Sequence, residues 1–167
     1  AAYAGGGEKR IQAQHDKGKL TARERIDAFV DPGSFVEHQT FIRGRCDDFG
    51  LAGKQIPGDG VVTGSAKVGG RQIWLASQDF TVLGGSLGEM HARRIAEAQA
   101  MAIKTGCPFI AINDSGGARI QGLPAAYQAR LRTVQTMVDR DRQRDASQFE
   151  IVRGFPKIRS FFRKPRA

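Results

Sequence analysis

Two neighbouring stretches decide the fold of this chain: GVVTGSAKV at residues 60–68 and RQIWLAS at residues 71–77. Both stretches are rich in β-branched and apolar side chains, and only Gly69 and Gly70 separate them. A two-glycine connection between such runs is typical of a β-hairpin with a primed turn. The sequence therefore predicts a hairpin at this place, with the rest of a sheet built outward from it.

The sequence after the hairpin predicts a βαβ unit. The glycine-rich turn GGSLG, residues 84–88, precedes strong helix formers at residues 89–104, and Gly106 suits the C-terminal cap of that helix. FIAIN, residues 109–113, predicts a short strand buried in a parallel sheet. A second glycine-rich stretch, residues 114–119, is expected to open another helix. The order of these elements predicts an α/β fold.

Before the hairpin, the sequence predicts two short helices and an irregular loop. Residues 8–19 form a charged stretch that suits a loosely packed helix. The pattern Thr-Ala-Arg-Glu at residues 21–24 is a capping box, so a short helix through residue 30 is expected. The Asp-Pro-Gly turn at residues 31–33 ends it. Residues 46–59 hold three glycines and no clear period, which predicts a loop.

The composition, with 40% hydrophobic and 26% charged residues in a chain of 167, is that of a soluble globular protein. The apolar runs are too short to span a bilayer, and the first residues lack the apolar stretch of a signal peptide. Cys46 and Cys107 have no paired His or Cys spacing, so no metal site is expected. Two lone thiols fit a reducing compartment, and a cytoplasmic location is expected. The scattered His15, His38 and His91 are expected to be structural rather than catalytic.

The formal net charge of +9 is distributed unevenly along the chain. Residues 122–167 contain 11 lysines and arginines and 4 acidic residues, whereas residues 1–121 contain 15 and 13. Only 2 of the 21 glycines lie after residue 121. The sequence therefore predicts two compositionally different parts, residues 1–121 and a basic tail at residues 122–167.

The two glycine-rich turns, residues 84–88 and 114–119, are candidate ligand sites. Residues without a Cβ allow the backbone to approach a ligand closely, and free N–H groups at a helix start favour an anion or a developing oxyanion. A tight turn without a ligand explains residues 84–88 equally well. Neither turn has the glycine spacing of a dinucleotide or phosphate-binding loop. From the residues alone, the function stays open at this point.

Six collinear motifs resemble the carboxyltransferase subunits of biotin-dependent acyl-CoA carboxylases, and among these the propionyl-CoA carboxylase beta branch most closely. The motifs are GKLTARERI (18–26), DPGSFVE (31–37), IPGDGVVTG (56–64), SQDFT (77–81), GGSLG (84–88) and NDSGGARIQ (113–121). The resemblance covers about residues 5–121. The methylcrotonoyl-CoA branch fits less well, because its loop after the Asp-Ser-Gly-Gly motif differs from the one found here.

The resemblance implies a crotonase-like α/β fold, with residues 1–121 as part of an N-terminal carboxyltransferase domain. It implies an enzyme that moves a carboxyl group from carboxybiotin to the α-carbon of a short acyl-CoA such as propionyl-CoA, through an enolate. Biotin is then carried on a partner, a biotin carboxylase or biotin carrier subunit, and the full-length relatives are homo-oligomers. The carboxyltransferase subunit of a biotin-dependent acyl-CoA decarboxylase shares these motifs and stays an alternative.

The resemblance also assigns candidate residues to the two turns, because an enolate needs preorganised N–H donors. The catalytic candidates on the oxyanion side are Gly116, Gly117 and Ala118. The candidates for the CoA pocket are Gly84, Gly85, Ser86 and Gly88. Arg119 is expected to orient its loop, to meet a CoA phosphate, or to form a structural salt bridge. Asp114 is interpreted as a turn residue or helix cap rather than as a general base.

After Gln121 the resemblance is expected to end. The family continues with a second Ala-Gly-Gly loop and a biotin-side domain, and neither pattern occurs before Ala167. This predicts a fragment with an unrelated tail, and no measurable carboxyl transfer by this chain alone. The tail interleaves basic residues with Phe155, Phe161 and Phe162, a composition that suits nucleic-acid binding as an alternative of another class. An unstructured extension without a nucleic-acid or membrane partner is preferred.

Overall fold

The computed structural model describes residues 3–45 and 56–119. The elements in chain order are α1 (Glu8–His15), α2 (Ala22–Phe29), β1 (Val36–His38), a 3₁₀ turn (Gly58–Gly60), β2 (Val61–Val68), β3 (Arg71–Gln78), a second 3₁₀ turn (Leu83–Gly85), α3 (Glu89–Thr105) and β4 (Phe109–Ile112). None of the described helices is long and apolar enough to cross a membrane. Most of the predicted irregular loop and the whole basic tail lie outside the described residues.

The predicted hairpin is confirmed as the centre of a four-stranded sheet. Val68 lies opposite Arg71, which leaves Gly69 and Gly70 as a two-residue turn between β2 and β3. Both glycines have positive φ, 58° and 77°, the requirement of a type I′ turn. The Asp31 carboxylate accepts hydrogen bonds from their N–H groups at 2.9 and 2.8 Å. The turn is therefore stabilised by the positive φ of its two glycines and by the carboxylate of Asp31, two residues after α2.

The sheet has the order β1-β2-β3-β4, and its outer strands pair differently. β1 and β2 are antiparallel, as are β2 and β3, whereas β3 and β4 are parallel. A parallel pair needs a crossover connection, and α3 provides it. The predicted βαβ unit is therefore confirmed, and the sheet as a whole is mixed.

The two faces of the sheet are covered by different helices. Alternate residues of β3 point to opposite faces, so Ile73 and Leu75 pack against α2 while Trp74 and Ala76 pack towards α3. The helical partners on the two sides are Ala22 and Ile26 of α2, and Ile95, Ala98 and Ala102 of α3. The described part of the chain thus has three layers, with β3 buried on both faces.

The predicted burial of the last described strand is wrong. β4 was expected to be buried, but it is the outermost described strand, with Ala111 exposed and Ile112 alone of its residues buried. The sequence shows that the residues of β4 are apolar, but it does not show which part of the chain lies beside them. Residues 114–119 form a non-helical loop that pairs with Leu87 through Ala118. The helix that this stretch is expected to open would follow it, outside the described residues, and stays a prediction.

Capping signals predicted the helix ends correctly. Thr21 and Glu24 form both hydrogen bonds of the capping box at the start of α2. At the C-terminal end of α3, Gly106 has φ 70° and caps the helix in the left-handed conformation. Each cap joins residues that are only a few positions apart in the chain, so the sequence pattern specifies it directly.

Candidate functional site

The two glycine-rich loops lie together beyond the carboxyl ends of β3 and β4. This is the edge of an α/β sheet where ligands bind in many folds. The Gly116 N–H donates to the Gly84 carbonyl at 2.9 Å, and the Leu87 N–H donates to the Gly117 carbonyl at 2.9 Å. The Arg119 N–H in turn donates to the Leu87 carbonyl at 2.9 Å. The 84–88 loop and the 114–119 loop are therefore one hydrogen-bonded unit.

Close packing of the loops explains two of the predicted glycines. A Cβ on Gly85, which has φ 62°, would lie 2.2 Å from the Asp114 carbonyl oxygen. A Cβ on Gly88 would lie 2.6 Å from the Arg119 guanidinium. Gly84 also has positive φ, 64°, but no atom of the described residues lies within 4 Å of its Cβ position. The lack of a side chain at Gly85 and Gly88 thus allows the 114–119 loop to pack directly against the GGSLG motif.

The backbone amides of the 114–119 loop are used unequally. The Gly116 N–H is bonded to the 84–88 loop, and the Gly117 N–H donates to Ser115 Oγ at 3.1 Å. In the parallel bridge between Leu87 and Ala118, Leu87 bonds to the Gly117 carbonyl and to the Arg119 N–H. The N–H and carbonyl groups of Ala118 itself therefore point away from Leu87. Within residues 3–45 and 56–119, the Ala118 N–H has no hydrogen-bond partner, and Ala118 is exposed.

Arg119 is held by the groups around it and lies with only a tenth of its side chain exposed. Its guanidinium forms an ion pair with Asp59 at 2.8 Å and donates to the Ser86 carbonyl at 3.1 and 3.2 Å. A further bond of 3.1 Å joins it to the Asp59 carbonyl. The Ser86 hydroxyl donates to the Leu83 carbonyl at 2.7 Å, so Ser86 is also committed to loop structure. Of the roles expected for Arg119, these contacts fit the salt bridge and the orientation of the loop.

Asp59 is a residue of this site that the sequence analysis missed. It is 2% exposed and has a positive φ of 50° in the turn before β2. Its carboxylate accepts from the His91 N–H at 2.8 Å, in the first turn of α3, and its carbonyl pairs with His91 Nδ1 at 3.0 Å. The position of an aspartate between Gly58 and Gly60 was the only sequence signal. His91 is fully buried, which agrees with its predicted structural role.

Asp114 joins the 114–119 loop to the start of the chain, and its interpretation as a turn residue or cap is wrong. Its carboxylate contacts Gln14 at 2.9 Å, Lys19 at 3.1 Å and the buried Arg25 at 3.1 Å. Its N–H donates to the Gln78 side chain at 3.1 Å. The prediction failed because the three carboxylate partners lie far away in the sequence. Asp114 is engaged in ion pairing, and this supports the exclusion of a general-base role.

The cation in this cluster is strongly desolvated. Burial lowers the pKa of the Arg25 guanidinium, and the carboxylates of Asp114 and Asp79 oppose that shift. Arg25 also donates to the Gln78 carbonyl at 3.0 Å. A buried guanidinium needs a counter-charge and filled donors, and Asp114 and Gln78 supply both. The contact fixes the loop against α2 and the end of β3.

A second buried arginine supports the turn that carries Asp59. Arg94, on α3, is 1% exposed and donates to the carbonyls of Gly58 at 2.8 Å, His38 at 3.1 Å and Val61. Burial lowers its pKa, and the carboxylate of Glu37, 3.5 Å away, opposes that shift. Arg94 therefore holds Gly58 and Val61, on either side of Asp59, to α3, and the His91 N–H holds Asp59 itself.

The comparisons with known proteins give one consistent result. The family described as "Carboxyl transferase domain" matches residues 13–136. This match continues past Gln121. The basic tail unrelated to the family, predicted for residues 122–167, lies outside the described residues and stays a prediction. The chain is 56% identical over 120 residues to the propionyl-CoA carboxylase beta chain of Cereibacter sphaeroides. It is 56% identical over 118 residues to the methylmalonyl-CoA decarboxylase subunit alpha of Veillonella parvula.

These alignments cover 72% and 71% of this chain, and 24% and 23% of the two relatives. The chain thus spans about a quarter of the length of the curated relatives it matches. Among solved structures, transcarboxylase 12S with methylmalonyl-coenzyme A and methylmalonic acid bound has a TM-score of 0.74 at 46% identity, covering 77% of this chain and 25% of that one. The crotonase-like α/β fold implied by the motifs is confirmed, and the chain belongs to the carboxyl transferase domain family.

Proposed function

We propose that this chain provides the acyl-CoA side of a carboxyltransferase, with the Ala118 N–H binding the thioester carbonyl oxygen of a short acyl-CoA such as propionyl-CoA. The observation that carries the proposal is the exposed, unpartnered Ala118 N–H in the described part of the chain, beside the bonded N–H groups of Gly116 and Gly117. Gly116 and Gly117 then shape the loop, and Ala118 is the donor.

The chemistry requires such a donor. When the α-carbon of an acyl-CoA becomes a nucleophile, negative charge develops on the thioester oxygen. An N–H group already aimed at that oxygen stabilises the charge without reorganisation, and losing one such donor typically costs about 10²–10³ in rate. The three 2.9 Å bonds between the loops and the buried Arg119 ion pair hold the Ala118 peptide in place before the ligand arrives.

Biotin, carried on a partner protein, supplies the carboxyl group in this reaction. None of the described residues is assigned to biotin. The partner is a biotin carboxylase or biotin carrier subunit, and assembly as a homo-oligomer is part of the proposal. Support for these partners comes from the relatives named above, which are subunits of carboxylases and decarboxylases.

A carboxyltransferase subunit of an acyl-CoA decarboxylase is the second candidate. The decarboxylase relative is as similar to this chain as the carboxylase relative, at 56% identity each. Removing a carboxyl group from methylmalonyl-CoA passes through the same enolate, so one oxyanion donor serves both directions. The two candidates differ in the direction of flux, which depends on the partner proteins.

The proposal is tested by NMR of the ¹⁵N-labelled chain, with the Ala118 amide as the reporter. Propionyl-CoA is compared with S-propyl-CoA, a thioether that lacks the carbonyl oxygen, and with CoA alone. We expect a downfield shift of the Ala118 amide proton with propionyl-CoA that the thioether does not reproduce. The amide of Glu97, on the exposed surface of α3, serves as the internal control. Equal Ala118 shifts with thioester and thioether would contradict the assignment of the donor.

A further inference from the structure

We propose that Asp59 is a positioning residue for the oxyanion site: it holds Arg119, and Arg119 sets the direction of the Ala118 N–H. The inference rests on the function proposed above and adds a residue to it. Asp59 touches neither loop amide directly. Its effect passes through the Arg119 guanidinium, which it contacts at 2.8 Å.

Arg119 connects the two loops through two separate contacts. Its backbone N–H bonds to the Leu87 carbonyl, and its side chain bonds to the Ser86 carbonyl. The Ala118 N–H belongs to the preceding peptide, between Gly117 and Ala118, whose carbonyl accepts the Leu87 N–H at 2.9 Å. Because the Leu87 carbonyl accepts the Arg119 N–H, Leu87 holds the peptides on both sides of Ala118. Movement of Arg119 relative to the 84–88 loop therefore strains both Leu87 bonds and turns the Gly117–Ala118 peptide that carries the Ala118 N–H.

Arg119 needs a negative charge beside it to stay in place. Its side chain is nine-tenths buried, and a buried guanidinium without a counter-charge is costly. Asp59 is the acidic residue in contact with it among the described residues, and Asp59 is itself almost fully buried. Removal of the Asp59 charge leaves the guanidinium with carbonyl partners alone.

Asp59 is anchored independently of Arg119. Its second carboxylate oxygen accepts the His91 N–H, one of the donors that the first turn of α3 leaves unbonded. A negative charge at this end of α3 is also favoured by the helix dipole. Because the 84–88 loop leads directly into α3, Asp59 fixes Arg119 relative to the same segment that Arg119 grips through Ser86.

The test uses Asp59→Asn in the ¹⁵N-labelled chain. Asparagine keeps the size of the side chain, tolerates positive φ and can still accept the His91 N–H, but it lacks the charge. We expect hydrogen exchange of the Leu87 and Arg119 amides to quicken about tenfold or more, as befits loss of a charge-assisted contact. The difference between the Ala118 shifts with propionyl-CoA and with S-propyl-CoA should shrink, while CoA alone binds as before.

Two further variants keep the inference falsifiable. Asp31→Ala weakens the distant β2–β3 turn, so it is a destabilised control that should leave the exchange of the Leu87 amide and the Ala118 shifts unchanged. Arg119→Lys retains a cation beside Asp59 but cannot reach the Ser86 and Asp59 carbonyls together. It should reproduce the effect of Asp59→Asn, and it carries the test if Asp59→Asn does not fold.

The outcomes separate this inference from the proposed function. If the wild-type chain shows no thioester-specific shift of the Ala118 amide, the proposed function fails, and the positioning role fails with it. If the wild-type shift is present but Asp59→Asn and Arg119→Lys both leave it and the Leu87 exchange unchanged, the positioning role alone is overturned. Equal losses in Asp31→Ala and Asp59→Asn would also overturn it, since general destabilisation would then explain both.

Discussion

Gly84 and Gly85 offer a matched pair for testing whether contact between the loops builds the site. Both have positive φ, 64° and 62°, so alanine at either position carries a similar backbone strain of roughly 1–2 kcal/mol. Only at Gly85 does the added methyl group meet backbone, 2.2 Å from the Asp114 carbonyl oxygen. The difference between the two alanine variants therefore isolates the cost of forcing the loops apart.

The size of that difference follows from the bonds between the loops. Moving the Asp114 carbonyl to an allowed distance requires a separation of about 1 Å, which takes the three 2.9 Å bonds beyond ordinary hydrogen-bond length. At about 0.5–1.5 kcal/mol for each bond, Gly85→Ala should cost roughly 1.5–4.5 kcal/mol more than Gly84→Ala.

The assay is urea unfolding followed by fluorescence of the single tryptophan. Trp74 is 8% exposed, between β3 and α3, so its emission reports loss of the core. Linear extrapolation gives the free energy of unfolding for both variants. If the two free energies agree within about 0.5 kcal/mol, the close contact at Gly85 does not hold the loops, and the reasoning is refuted.

Three other variants test the supports of the fold by the same unfolding assay. Asp31→Ala should destabilise the protein at pH 7, because the N–H groups of Gly70 and Gly69 bond to the Asp31 carboxylate and lower its pKa. The stabilisation by the ionised carboxylate is present above the unfolded pKa and is lost as pH falls below about 4. A stability gap that persists in acid would contradict this. Thr21→Ala should cost about 1 kcal/mol and Thr21→Ser much less, because only the former removes the N-cap acceptor. Leu75→Ala, at a fully buried position, should cost about 2–5 kcal/mol; a cost below 1 kcal/mol would show that the core there is loose.

Local signals in the sequence predicted much of this fold. The Gly69-Gly70 turn, the capping box at Thr21 and the Gly106 cap each depend on contacts within a few residues, so a pattern in the chain is enough to specify them. The order of strand, turn, helix and strand likewise predicted the parallel pairing of β3 with β4. The exposure of β4 was not predictable in this way, because it depends on what lies beside the strand rather than on the strand itself.

The candidate site was predicted less completely, for a physical reason. The motifs located both glycine-rich loops, but an N–H group is available only if no neighbour accepts it, and the acceptor of the Gly116 N–H lies 32 residues earlier, at Gly84. Asp59 escaped notice because its partners, His91 and Arg119, are separated from it by 32 and 60 residues. Side-chain pairs at such distances leave no periodicity or spacing in the sequence.

The contacts of Asp114 have a consequence for the order in which the chain folds. Its carboxylate reaches Gln14 and Lys19, which are 100 and 95 residues earlier, whereas the β2–β3 hairpin closes over two residues. Closing a long segment costs more chain entropy than closing a short one, and distant contacts slow folding. Substitutions at Asp114 should therefore speed unfolding while leaving the folding rate nearly unchanged, the behaviour of a contact made after the transition state. We therefore expect the hairpin to form early and the edge that carries the two glycine-rich loops to form last, so that a nascent chain has a folded core before it has its candidate site.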